Sequence, residues 1–147
     1  MQRLQRGKET GGHLSIFYID LDDFKPVNDT HGHAMGDKLL RSFAARLLSG
    51  VRSTDTVARL GGDEFAVLLE GLARHEALHI AAALRERLSM PYAIDDVQLH
   101  VTACIGVAGH PEDGVSADAL LCAADAAMYQ AKAGGKARFA VSGQGDL

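Results

Sequence analysis

The chain has 147 residues, 47% hydrophobic and 23% charged, the range of one globular domain with a single sizeable core. Its 15 Lys and Arg against 19 Asp and Glu give a formal net charge of −4, which excludes a long nucleic acid as partner but not a small phosphorylated ligand. No apolar run approaches the length of a membrane span, and the opening MQRLQRGKETGG lacks the apolar core of a signal peptide. A cytoplasmic domain without direct membrane contact is expected.

Residues 14–21, LSIFYIDL, are almost continuously apolar and predict a central strand covered on both faces. Leu39, Leu40, Phe43, Ala44, Leu47 and Leu48 recur at helical spacing and predict an amphipathic helix over 36–48. Two short apolar runs, 56–60 and 64–69, flank Gly61-Gly62 and predict a hairpin with Asp63 at its tip. A second helix is predicted over 75–88, with Leu78, Ala81, Leu84 and Leu88 inward, ending before Pro91. Residues 98–107 alternate as one strand. Ser116 is a plausible N-cap for a third helix with Leu120, Ala123, Ala124, Ala127 and Met128 inward, stopping near Gly134-Gly135. A last strand spans 138–141. The order of these elements points to an α/β sandwich around one mixed sheet. Cys104 and Cys122 lie in apolar segments without the spacing of a disulfide framework or zinc site, and are expected as buried free thiols.

Two acidic positions stand out: Asp20 at the carboxyl end of the first strand, and Asp63 with Glu64 at the hairpin. An isolated Asp at a turn is more often a solvated turn residue. If the hairpin lies beside the first strand, however, these carboxylates meet at one sheet edge, where they suit hard Mg²⁺ ions that clamp a triphosphate. Phe24-Lys25 adds a cation for phosphate, and Asn28 with Asp37 supplies an amide and a carboxylate. An Asn amide donates to guanine O6 or N7, and an Asp accepts from N1 and N2, so the pair rejects adenine. Plain turn chemistry before a helix is the competing account of Asn28-Asp29 and Gly32.

The segments IDLDDFKPVNDTHGHAMGD, RSTDTVARLGGDEF and ADAAMYQAKAGGKAR resemble the three signature blocks of GGDEF diguanylate cyclases, in that family's order and spacing. The resemblance runs from about Leu14 to Arg138. It implies a nucleotidyl cyclase and polymerase-palm relative with a ferredoxin-like βααββαβ core, whose central sheet is mixed and mainly antiparallel. It implies an activity, condensation of two GTP into cyclic di-GMP and two pyrophosphates, and a cofactor, Mg²⁺ or Mn²⁺, with two ions per active site. Asp20, Asp63, Glu64 and the carbonyl of Leu21 then hold metal, and Asp63 stands where the family places the base or metal-bound activator of the attacking 3′-hydroxyl. Asn28 and Asp37 match guanine-reading positions, while Asp23, Phe24 and Lys25 with Lys132 match the triphosphate cradle. At Lys136 the family most often has arginine, so charge is kept and the planar fork is lost. His31 and His33 are read as structural.

Nine residues before Gly61, Arg52 and Asp55 form Arg-x-x-Asp at the spacing of the family's product-inhibition site. The second arginine of that site would align near Ala83, with Arg85 and Arg87 the nearest substitutes, so weak feedback is expected. Family motifs that usually precede the first strand are absent, and the chain reads as an excised single domain of a larger sensory protein. Residues 90–108 and the first block resemble GGDEF domains that precede an EAL domain. Each active site of the family holds one GTP, so the partner in catalysis is a second GGDEF domain facing the first with two-fold symmetry. The isolated domain is expected to bind GTP and metal and to turn over slowly.

Overall fold

The computed structural model describes residues 13–143 and 145–146; the amino-terminal stretch read above for a targeting segment lies outside them. Strand β1 (Leu14–Leu21) is followed by helices α1 (Phe24–His31) and α2 (His33–Ser49) and by the hairpin β2 (Thr56–Gly61) and β3 (Glu64–Glu70). Helix α3 (Arg74–Leu88), strands β4 (Tyr92–Ile94), β5 (Val97–Leu99) and β6 (Ala103–His110), helix α4 (Ala117–Ala133), and strands β7 (Phe139–Val141) and β8 (Gly145–Asp146) complete the order. The main sheet runs β2-β3-β1-β6-β7-β8, and β4-β5 is a separate ribbon. β1 is antiparallel to both β3 and β6, whereas β6 and β7 are parallel across α4. The sheet is therefore mixed and mainly antiparallel, with helices on both faces, as the sequence implied.

The apolar run of β1 is explained by that double cover. Phe17, Ile19 and Leu21 point to one side, in a core shared with Leu39, Phe43 and Leu47 of α2 and Leu84 and Leu88 of α3. Leu14 and Ile16 point to the other and meet Leu120 and Ala124 of α4. Alternation then sends Asp20 to the α4 side, with the small residues. Helix α4 comes unusually close to the sheet at Gly106, where an added Cβ would overlap the Ala124 carbonyl and lie 2.9 Å from Met128 Cα. That close approach carries the far end of α4 over the end of β1.

Helix α2 is longer than 36–48, and α3 begins at Arg74, where Glu76 accepts from the Ala73 amide at 2.9 Å. Ser116 caps α4 as expected, its Oγ accepting from Ala119 N at 3.1 Å. Helix α1, the first of the two helices that follow β1 in the βααββαβ core the resemblance implied, has no buried residue and so gives no period-3.6 signal. Two expectations need correction. The single strand over 98–107 is two: β5 folds back on β4 through a turn with Asp95 left-handed (φ 54°), which Tyr92, Ile94, Leu99 and Val101 anchor to the core, and β6 starts afresh at Ala103. Cys104 is buried but Cys122 is exposed, two residues past the buried Leu120 and off the inward stripe of α4.

Candidate functional site

The site is assembled where β1 ends. In register, Asp20 lies opposite Glu64 on one side and Cys104 on the other. The Leu21 amide donates to the Asp63 carbonyl at 3.2 Å, holding the hairpin tip beside the strand end. Arg59 braces the same tip, Nη2 donating to the Gly62 carbonyl at 2.7 Å. Three carboxylates, Asp20, Asp63 and Glu64, thus crowd one edge. Asp20 Oδ1 is buried with no hydrogen-bond partner among the described residues, while Oδ2 faces Lys132 Nζ at 3.2 Å. Burial pushes the Asp20 carboxyl up to about 6; Lys132 opposes the rise, and the charges of Asp63 and Glu64 add to it. Tyr18, two residues back on the same face, donates to Glu64 Oε2 at 3.1 Å, and burial together with Glu64 lifts its phenol to about 12.

Asp22 is the residue that motif reading missed. Its side chain is fully buried and takes four donors: Thr102 Oγ1 at 2.7 Å, Lys132 Nζ at 2.9 Å, Ala137 N at 3.0 Å and Cys104 Sγ at 3.6 Å. Burial alone would raise its pKa, but the bonds from Lys132, Thr102 and Ala137 outweigh burial and hold it below the usual carboxylate range. Asp22 therefore fixes Lys132 and the turn after α4 against the end of β1. The available signal was the run of acids at 20, 22 and 23, although their separate side-chain directions follow only from the fold.

The nucleotide-facing residues expected from sequence divide. Asn28 on α1 lies against Gly36 of α2, the residue before Asp37, and its Oδ1 is buried with no partner among the described residues. Asp37 lines an open cavity of about 310 Å³ with Leu40, Arg41, Ala44, Arg59 and Phe65. Asp23, in left-handed conformation at the start of α1, accepts from Lys136 Nζ at 2.8 Å. Lys132 is bound to Asp22 and Asp20, and burial, which lowers its pKa, is outweighed by these acids. Lys25 is 88% exposed and pairs with Asp29 at 3.3 Å. His31 and His33 are exposed on either side of Gly32.

Arg52 and Asp55 lie at the other end of the hairpin. Arg52 Nη2 donates to Asp55 Oδ1 at 2.7 Å and to the Glu70 carbonyl at 3.0 Å, six residues and about 20 Å along β3 from Glu64. Asp55 also accepts from the Arg52 amide at 2.8 Å, so its side chain is spent inside the chain. Ala83 is exposed, and the substitutes proposed for it are committed elsewhere: Arg85 donates to the Ala137 carbonyl at 3.1 Å and Arg87 to Ser49 Oγ at 2.8 Å.

Among the described residues no three His, Cys, Asp or Glu side chains close into a preformed metal cage. The donor set nonetheless fits Mg²⁺, which is commonly held by one or two carboxylates and completed by water and substrate phosphate. An orphaned carboxylate oxygen with two further acids beside it is a place where a divalent cation lowers the energy. No helix among the described residues is long and apolar enough to cross a membrane.

Comparison with known proteins agrees with this geometry. The family model "Diguanylate cyclase, GGDEF domain" matches residues 1–138. The chain is 42% identical to the bifunctional diguanylate cyclase/cyclic di-GMP phosphodiesterase MucR of Pseudomonas aeruginosa over 92% of its own length and 20% of that protein's. It is 38% identical to the cyclic di-GMP phosphodiesterase PdeR of Escherichia coli over 87% of its length and 19% of that protein's. The chain thus spans about a fifth of these relatives. The crystal structure of the GGDEF domain of TpbB (YfiN) from Pseudomonas aeruginosa superposes with a TM-score of 0.92 at 38% identity, covering 96% of this chain and 89% of that one. With its three acids gathered at the Gly61–Phe65 hairpin on a cyclase-type palm, the chain belongs to the GGDEF family, whose members include diguanylate cyclases and typically bind GTP and divalent metal.

Proposed function

We propose that the domain condenses two GTP molecules into cyclic di-GMP, each of two facing copies contributing one nucleotide. The observation that supports this most is the convergence of Asp20, Asp63 and Glu64 around a buried oxygen that has no hydrogen-bond partner among the described residues. Asp20, Asp63, Glu64 and the Leu21 carbonyl would hold two divalent ions, which when bound neutralise phosphate charge and favour ionisation of the 3′-hydroxyl. Asp63, at the tip, would accept that proton. Lys132 and Lys136, close to the rim, and the start of α1 at Asp23, Phe24 and Lys25 receive the triphosphate. Lys132 must exchange its contact with Asp20 for phosphate, while Asp22 keeps its Nζ within reach. Asn28 and Asp37 read the guanine edge. Arg52 and Asp55 serve product feedback, which is weak because the arginines of α3 are engaged elsewhere: Arg74 with Asp113, Arg85 with the Ala137 carbonyl and Arg87 with Ser49.

A second reading, a GTP- or cyclic di-GMP-binding module that regulates a neighbouring domain, is favoured by the similarity to PdeR, named a phosphodiesterase. One experiment separates the two. A version fused to a dimerising helix is incubated with GTP or ATP and Mg²⁺, and products are identified by chromatography. Cyclic di-GMP from GTP alone supports the cyclase; binding of GTP without product supports the module.

A further inference from the structure

The geometry points to Gly36 as the residue that positions the Asn28 amide for guanine, and so as a determinant of GTP over ATP; this rests on the guanine-reading role proposed for Asn28. Gly36 is buried in the first turns of α2, a helix whose remaining sequence, from Asp37 to Ser49, contains no other glycine. Glycine is a poor residue for a helix interior, since it leaves more backbone entropy to lose than alanine does. A helix that keeps one needs a reason in its surroundings. Here the reason is steric and local: a Cβ on Gly36 would overlap Asn28 Oδ1 and lie 2.9 Å from Asn28 Cγ. The next nearest atom is Phe24 Cζ, at 3.3 Å, which a small ring movement relieves.

The glycine hydrogen in that direction instead faces the Asn28 oxygen, which is buried and has no other partner among the described residues. A weak Cα–H···O contact is what remains available to it. With its oxygen lodged against α2, the amide of Asn28 keeps its NH₂ as the outward end, a donor that guanine O6 can accept from and that the N6 amino group of adenine, itself a donor, cannot. The obstacle a methyl would meet is a side-chain end, so α1 and α2 can stay packed while the amide turns away. Gly36 is thus a positioning residue that acts through Asn28.

The test is a double-mutant cycle on the full chain, with affinities for GTP and ATP in Mg²⁺ measured by titration calorimetry and melting followed alongside. Gly36→Ala is expected to melt no lower than the parent, to bind GTP about tenfold more weakly, and to bind ATP unchanged. In the Asn28→Ala background, where no amide remains to displace, Gly36→Ala is expected to cost nothing further. Full GTP affinity in Gly36→Ala while Asn28→Ala is weakened overturns the positioning role alone. So does an equal loss in both backgrounds, or a collapsed melt, because the methyl has then disturbed something other than Asn28. If Asn28→Ala itself binds GTP as the parent does, the guanine reading fails and the role of Gly36 falls with it.

Discussion

Two carboxylates two residues apart, Asp20 at the end of β1 and Asp22 just past it, sit in opposite conditions. Around Asp22 every demand is met: four donors converge on a fully buried group, and its pKa is held low. Around Asp20 one oxygen is buried without a hydrogen-bond partner among the described residues, two other acids press on it, and its carboxyl is raised to about 6. The first arrangement is what a fold needs, and the second is what a fold tolerates when a ligand is to complete it. Lys132 joins them, shared between the satisfied acid and the unsatisfied one.

The sharpest way to break this contrast is at the rim. Asp63→Asn in a dimerised version is expected to lower cyclic di-GMP formation by about 10² to 10⁴-fold while leaving the melting temperature near the parent's. A variant that loses activity only because it unfolds would show the rim to be structural. Next in size is the anchor: Asp22→Ala leaves Lys132 without its deeper partner and should cost about 3 kcal/mol in denaturant unfolding. A loss below ~1 kcal/mol would mean that the buried bonds are not what holds the turn after α4.

The pH dependence of stability in metal-free buffer carries the contrast further, because the two acids act with opposite sign. Asp20 has its folded pKa raised from 3.8 to about 6, so the stability it contributes is fully present below 3.8 and is lost as pH rises through about 6. Asp22 has a lowered pKa, so its contribution is present above 3.8 and is lost as pH falls through the lower folded value. Asp20→Asn should therefore match the parent near pH 4 and exceed it at pH 8 by on the order of 1 to 2 kcal/mol. Parent and variant unfolding curves that stay parallel between those pH values would contradict this assignment. Smallest is the departure at Lys136, an exposed side chain on Asp23. Lys136→Arg should tighten GTP binding by roughly two- to threefold by restoring a planar fork, and unchanged affinity would show the position does not touch phosphate.

Much of this contrast was legible before the fold was known. The double cover of β1, the Gly-Gly hairpin and the helix capped by Ser116 follow from apolar runs, turn chemistry and spacing. Asp20 and Asp63 stand out in the sequence because acids at a buried strand end and at a hairpin tip serve no packing purpose. What stayed hidden depends on direction. Asp22 reads like its neighbours in the acidic run, and only the position of α4, set by the close contact at Gly106, turns it inward onto Lys132. Tyr18 looks like core until the register brings Glu64 within hydrogen-bond reach. Helix α1 has no buried face to announce it, and the β4–β5 ribbon breaks an alternation that continues through its own end.

The central claim, that the rim around Asp20 and Asp63 is a centre of chemistry and the Asp22 anchor a support for it, is tested most directly by one rate. Dimerised parent and Asp63→Asn chains, both shown to be folded, are given GTP and Mg²⁺, and cyclic di-GMP is quantified against time. The account predicts steady product from the parent and at most about a hundredth of that rate from the variant. Equal rates from the two would contradict it.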